Sequence, residues 1–183
     1  MTSKAQKTPD DGVNAMYAYC LRFFSELKAL GVTNVIVSPG SRSTPLVLSA
    51  KQVGLKVVVH LDERVAAFHA LGAAKATGVP CVLICSSGTA AANYLPAVVE
   101  ANHATTPMII CTADRPPELR QWGEGQTINQ VGLYGDNVRW HYDLPVTFLI
   151  FLIDFKTTFL SIICRLCSYI PILILIKSVT FCI

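Results

Sequence analysis

The chain has 183 residues, 52% of them hydrophobic and 15% charged, with a net charge of +3. That is enough apolar material for one buried core plus an extension, and too much for a disordered polypeptide. No run of Lys or Arg exceeds two, which excludes the basic footprint of a nucleic-acid binder and leaves small-molecule chemistry as the stronger class.

Residues 1–10 are polar and lack both the apolar stretch of a signal peptide and the Arg-rich character of a transit peptide, so a short disordered arm is expected. Val13, Met16, Cys20, Phe24 and Leu27 then recur at helical steps; Asp10 or Asp11 can cap the start and Gly31 can end the segment. A buried strand follows over 33–37, leading into Ser38-Pro-Gly-Ser-Arg-Ser-Thr-Pro45, with Pro45 suited to the first turn of a helix. The next strand is expected over 56–60, with Asp62 capping a helix that runs through Lys75 to near Gly78. A third strand over 80–85 enters the tight turn Ser86-Ser-Gly-Thr89, and one helix is expected over 90–103. The last strand, 108–112, opens a long polar loop over 113–126. Strands joined through helices of this length pair in parallel with right-handed crossovers, giving an α/β fold with helices on both faces and ligands at the carboxyl ends of the strands.

The chain has seven cysteines, an odd number, and Cys20, Cys81, Cys85 and Cys111 sit inside apolar helix or strand patterns. Reduced, packed thiols in a cytosolic protein are the expectation. From Val146 onward the composition changes: residues 146–183 contain no Gly, Ala, Glu or Asn, but nine Ile and five of the eight Phe. A membrane span is disfavoured because Asp154, Lys156, Arg165 and Lys177 interrupt every apolar run before it reaches the roughly 18 residues a span requires. A core extension would need turn residues that this stretch lacks, and the preferred expectation is that residues 146–183, following the domain of residues 11–145, are not native family sequence but, for example, the product of a frameshift or read-through. Cys164 and Cys167 have knuckle spacing without a second ligand pair.

Each motif at a strand end has a bland reading beside a functional one. Glu63, in the first turn of its helix, is either a solvated dipole partner or an acid placed for chemistry. Ser41 and Arg42 form an anion cradle or an ordinary polar turn. Ser87, Gly88 and Thr89 let a ring approach the backbone, or merely connect a strand to a helix; no P-loop or dinucleotide fingerprint is present. Arg115 is stiffened by Pro116 and Pro117 and suits carboxylate recognition, unless Asp114 and Glu118 simply pair with it. Gln126 can donate and accept at once. His60, His69, His103 and His141 show no ligand spacing on a common face, so no metal site is expected from them.

Taken in order, Ser38 to Leu46, Asp62-Glu-Arg64, Ser87-Gly-Thr-Ala90, Thr112-Ala-Asp-Arg-Pro-Pro-Glu-Leu119 and Gly123-Glu-Gly-Gln126 resemble the N-terminal, pyrimidine-binding domain of thiamine-diphosphate enzymes. Within that class they are most similar to the SEPHCHC synthase family of menaquinone biosynthesis, over roughly residues 11–145. The resemblance implies that Glu63 hydrogen-bonds the aminopyrimidine of thiamine diphosphate and promotes its imino tautomer, with Ser87, Gly88 and Thr89 against the same ring. It implies that Ser41, Arg42 and Arg115 bind isochorismate or its adduct and that Gln126 contacts the covalent intermediate. The implied reaction decarboxylates 2-oxoglutarate and adds the succinyl unit to isochorismate, in a homo-oligomer whose second domain supplies Mg2+ and diphosphate binding. The Gly-Asp-Gly then Asn signature of that second domain is absent, and Gly135-Asp-Asn137 is no substitute. This chain alone is therefore expected to be inactive; a non-catalytic binding or regulatory module derived from the family is the alternative.

Overall fold

The computed structural model describes residues 11–143 and 173–180. Helix α1 (Asp11–Ala29) leads through Gly31, whose φ of 93° suits a residue without a Cβ, into β1 (Asn34–Val37). A 3-10 turn at Ser41–Ser43 runs into α2 (Thr44–Gln52), with Pro45 in its first turn as the sequence implied. Next come β2 (Lys56–Val59) and α3 (Glu63–Thr77). Asp62 caps α3 by accepting from the Val65 N–H at 3.1 Å, and that bond is the first cause of its pKa lying below the usual carboxylate range. Gly78 closes the helix in the left-handed region, as its position past the last apolar repeat requires.

Strand β3 (Cys81–Cys85) is followed by two helices where one was expected, α4 (Thr89–Ala92) and α5 (Leu95–His103). Pro96 explains the break: it has no N–H to give the Ala92 carbonyl and its ring would clash with that oxygen, so the chain restarts with Pro96 in the first turn of α5. Strand β4 runs Met108–Asp114, two residues further than its apolar run indicated, because Asp114 stays inside the sheet as a buried ion-pair partner. Two strands that the sequence did not mark complete the sheet, β5 (Trp140–Asp143) and β6 (Leu173–Thr180).

All pairings are parallel, in the order β2-β1-β3-β4-β6-β5. The part of the apolar tail that forms β6 pairs in the sheet alongside the whole of β4; residues 144–172, 181–183 and the arm over 1–10 fall outside the described residues. Alternate residues of the inner strands face opposite ways. Val35, Val37, Val82 and Ile84 pack beneath α1 and α2 with Phe24, Leu27 and Leu46, whereas Ile36, Leu83, Cys85 and Ile110 pack against α3 and α5 with Ala67, Ala70 and Val98. The four cysteines among the described residues are free and buried, as expected. The connection after β1 runs one way along the sheet, to β2, and the connection after β3 runs the other way, to β4, so a crevice opens between the β1 and β3 ends, where a ligand sits in such sheets.

Candidate functional site

The loops at that crevice are in direct contact. Gly40, after β1, lies against Ser86, after β3: a Cβ on Gly40 would come within 2.4 Å of the Ser86 Cβ. Gly88 has φ 78° and ψ −142°, and a Cβ there would stand 3.0 Å from the Gln126 backbone. Glycine at 88 is thus required by the fold of this loop pair itself. The Ser87 hydroxyl donates to the Gln126 carbonyl at 2.8 Å, fastening the same two loops.

A residue that sequence reading passed over holds this junction together. Gln130 is 1% exposed; its Oε1 accepts from the Gly88 N–H at 2.8 Å, while its Nε2 donates to the Ala113 carbonyl at 3.1 Å and to Thr112 Oγ1 at 3.3 Å. One buried amide thereby ties the turn after β3 to the end of β4. No signal in the sequence marks it, because a single Gln in a polar loop has no period and no motif.

Around this base the implied ligand-binding side chains converge. Arg42 Nη1 donates to Gln126 Oε1 at 2.8 Å. Arg115 Nη2 donates both to Glu124 Oε1 and to the Gly125 carbonyl, each at 3.1 Å. Burial, and then the neighbouring Arg115 guanidinium, hold Arg42 below its usual pKa, while Glu124 opposes them. Two like charges and one carboxylate thus share the space beside Gln126. Glu124 takes the pairing role that Asp114 and Glu118 were considered for: Asp114 is wholly buried, with Oδ1 accepting from the Arg115 backbone N–H at 2.8 Å and Oδ2 paired to Arg120 at 3.0 Å. Arg120 also reaches Asp143 of β5 at 3.2 Å, which anchors the polar loop to the sheet. Gln126 itself has φ 55°, the left-handed region that costs a non-glycine residue stability.

Glu63 stands across the crevice at the end of β2, half-buried in the first turn of α3. Its Oε2 accepts from Asn93 Nδ2 at 3.3 Å, linking it to the segment just after α4. Its charge also adds a smaller push to the Cys85 thiol, which burial raises far above the ordinary range, so Glu63 is electrostatically close to the β3 end. Leu61, 88% exposed, precedes α3, and the exposed Val65 and Phe68 lie on the outward face of that helix with His60 and His69, away from Glu63. Ser41 and Thr89 are exposed at the same mouth. On the flank, His60 Nε2 and His69 Nδ1 meet at 2.6 Å, a hydrogen-bonded pair that nine-residue spacing did not reveal. No group of three or more His, Cys, Asp or Glu among the described residues is placed to hold a metal ion, and no helix among them is long and apolar enough to cross a membrane.

A parallel α/β domain with an acid at one strand end and a small-residue turn at the next has the layout of a small-molecule binding domain. Residues 22–133 match the family described as thiamine pyrophosphate enzyme, N-terminal TPP binding domain, and the chain belongs to that family. Its relatives narrow the class. Over 134 residues it is 55% identical to the 2-succinyl-5-enolpyruvyl-6-hydroxy-3-cyclohexene-1-carboxylate synthase (SEPHCHC synthase) of Chloroflexus aurantiacus, an alignment covering 73% of this chain and 23% of that protein. The synthase of the same name from Lysinibacillus sphaericus is 58% identical over 131 residues, 70% of this chain and 23% of the relative. That of Haloarcula marismortui is 55% identical over 134 residues, 73% and 22% respectively. The chain thus spans less than a quarter of the length of the relatives it matches.

Proposed function

We propose that residues 11–145 are the pyrimidine-binding domain of a thiamine-diphosphate-dependent synthase that decarboxylates 2-oxoglutarate and transfers the succinyl unit to isochorismate. The observation that carries this reading is the convergence of Arg42, Arg115 and Gln126 on the Ser87–Gly88 turn, across the crevice from Glu63. Both substrates are polyanions, and two neighbouring guanidiniums at a strand-end crevice are what such ligands require.

The residues present fit the cofactor's pyrimidine. A half-buried carboxylate, linked through Asn93 to the helix that follows the Ser87–Gly88 turn, offers a proton-sharing partner for a ring nitrogen. With the cofactor bound, Glu63 would share that proton at its carboxylate, one oxygen of which Asn93 fixes, and Ser87, Gly88 and Thr89 would lie against the ring. Bound thiamine diphosphate supplies the electron sink for carbon–carbon chemistry. Arg42 and Arg115 then orient the anionic substrates, and Gln126, whose carbonyl oxygen Arg42 already holds, keeps an amide NH2 to offer. Mg2+ and the diphosphate fall, on this reading, to a second domain, for which the greater length of the relatives leaves room. The exposed Leu61, and Val65 and Phe68 on the outward face of α3, support packing of this helix against another subunit in a homo-oligomer.

The test is turnover of 2-oxoglutarate with isochorismate. We expect none from the 183-residue chain alone, and turnover once it is joined to the remaining domains of a relative. In that fusion Glu63→Gln should lower the rate by at least the ~10²-fold of a lost acid-base group while the fold stays intact. Arg115→Lys should impair use of isochorismate more than release of CO2 from 2-oxoglutarate, since lysine lacks the two-pronged fork. Near-normal activity of Glu63→Gln overturns the assignment.

A further inference from the structure

The two cations of the site are not equally engaged. The side-on edge of a guanidinium, Nε together with Nη2, is one of the two edges that dock a carboxylate through two parallel bonds. On Arg115, Nη2 is taken by Glu124 and the Gly125 carbonyl, yet Nε is buried and has no acceptor among the described residues. Glu124 therefore fills half of a two-pronged site, through one oxygen at 3.1 Å, longer than the 2.7–2.9 Å usual for a charge-assisted bond. Its side chain remains 44% exposed, against 23% for Arg115, so the carboxylate can swing out to water at little cost while the guanidinium stays in place. The segment that carries it includes three positive-φ residues, Gln121, Gly123 and Gln126, which set its path over the two arginines.

We propose that Glu124 is a specificity-determining residue: an internal counter-ion for Arg115 that an incoming ligand must displace, favouring ligands whose carboxylate can take Nε and Nη2 together. This rests on the proposed reading of the site as an isochorismate site and adds how that site chooses its ligand. A ligand offering a single acceptor gains nothing over Glu124 and is rejected by its charge; a planar carboxylate replaces one long bond with two. Once Glu124 leaves, Arg42 and Arg115 face each other uncompensated, and a second negative group on the ligand is drawn to Arg42.

The experiment uses the 183-residue chain and its variants, with isochorismate and 2-oxoglutarate as probes, followed by calorimetry and by the 15N signal of Arg115 Nε. Glu124→Gln, an exposed change of equal size, should tighten isochorismate binding by up to about fivefold, the range set by exposed ion pairs. The gain should shrink to nothing in the Arg115→Lys background, which a merely structural effect of residue 124 would not do. Ligand should shift the Arg115 Nε signal in the unmodified chain. Unchanged or weaker binding by Glu124→Gln, with binding still lost in Arg115→Ala, overturns the inference and leaves the site reading standing. Isochorismate binding that ignores Arg115→Ala overturns the site reading as well. Absence of binding in both the unmodified chain and Glu124→Gln also overturns the inference, and the turnover assay of the fusion then judges the site reading separately.

Discussion

Replacing Gln130 with Met keeps the length and most of the volume of the side chain but removes both its donor and its acceptor. The Gly88 N–H, buried and bonded to Gln130 at 2.8 Å, then has no acceptor, and a buried orphan of that kind costs ~1–3 kcal/mol. The bond to the Ala113 carbonyl at 3.1 Å and the longer one to Thr112 Oγ1 at 3.3 Å add ~0.5–1.5 kcal/mol between them, since the threonine hydroxyl can rotate to another partner. We therefore expect Gln130→Met to destabilise the domain by about 1.5–4.5 kcal/mol, a large share of the ~5–15 kcal/mol typical of a folded protein. Urea unfolding followed by circular dichroism should show a lower midpoint at unchanged slope. Amide exchange at Gly88 should accelerate in the variant beyond what global unfolding accounts for. A loss below about 1 kcal/mol, or a Gly88 amide as protected as before, would refute the claim that this amide holds the two loops together.

Three further outcomes can be checked. Gly40 has an ordinary extended φ of −169°, so Gly40→Ala should cost the ~1–3 kcal/mol of overpacking through its clash with Ser86 alone, and Ser86→Gly should recover most of that loss in the double variant; an additive double variant would place the strain elsewhere. Burial pushes Cys20 and Cys81 up to about 12 from 9.0, so the folded state binds more protons than the unfolded one between those values and stability should fall as pH rises through that window; site-resolved alkylation by mass spectrometry should find both thiols inert near neutral pH until the chain unfolds. Deleting residues 146–183 removes β6 from between β4 and β5 and uncovers the edge of β4, so light scattering and thermal melts should show a less stable, more aggregation-prone protein; a truncated chain that is more soluble and equally stable would show that β4 needs no neighbour there.

The regular parts of the fold were legible because their signals are local. Asp62, Gly78 and Pro45 bound their helices where the sequence placed them, and the apolar runs gave the four strands that position the crevice. Pro96 is equally visible, but a continuous apolar pattern runs across it and masks its effect, and the single expected helix is two. The motifs named Glu63, Arg42, Arg115 and Gln126, and the structure shows how Arg42 and Gln126 meet. What the sequence could not reveal were partners distant along the chain: Glu124 rather than Asp114 or Glu118 on Arg115, and Gln130 beneath Gly88, 42 residues away. Strands β5 and β6 were missed for a different reason. Trp140–Asp143 is too short to show a period, and residues 173–180 sit in a stretch whose composition resembles no ordinary domain.

The left-handed backbone at Gln126 bears on how this domain would respond to selection for robustness. A glycine there would relieve the conformational cost that a side-chain-bearing residue carries at φ 55°. A screen that scored only thermal resistance would therefore favour Gln126→Gly, and in doing so would discard the acceptor that holds Arg42. On the proposed reading of the site, tolerance and recognition pull in opposite directions at this position, and a hardened version of the domain would bind its ligand less well.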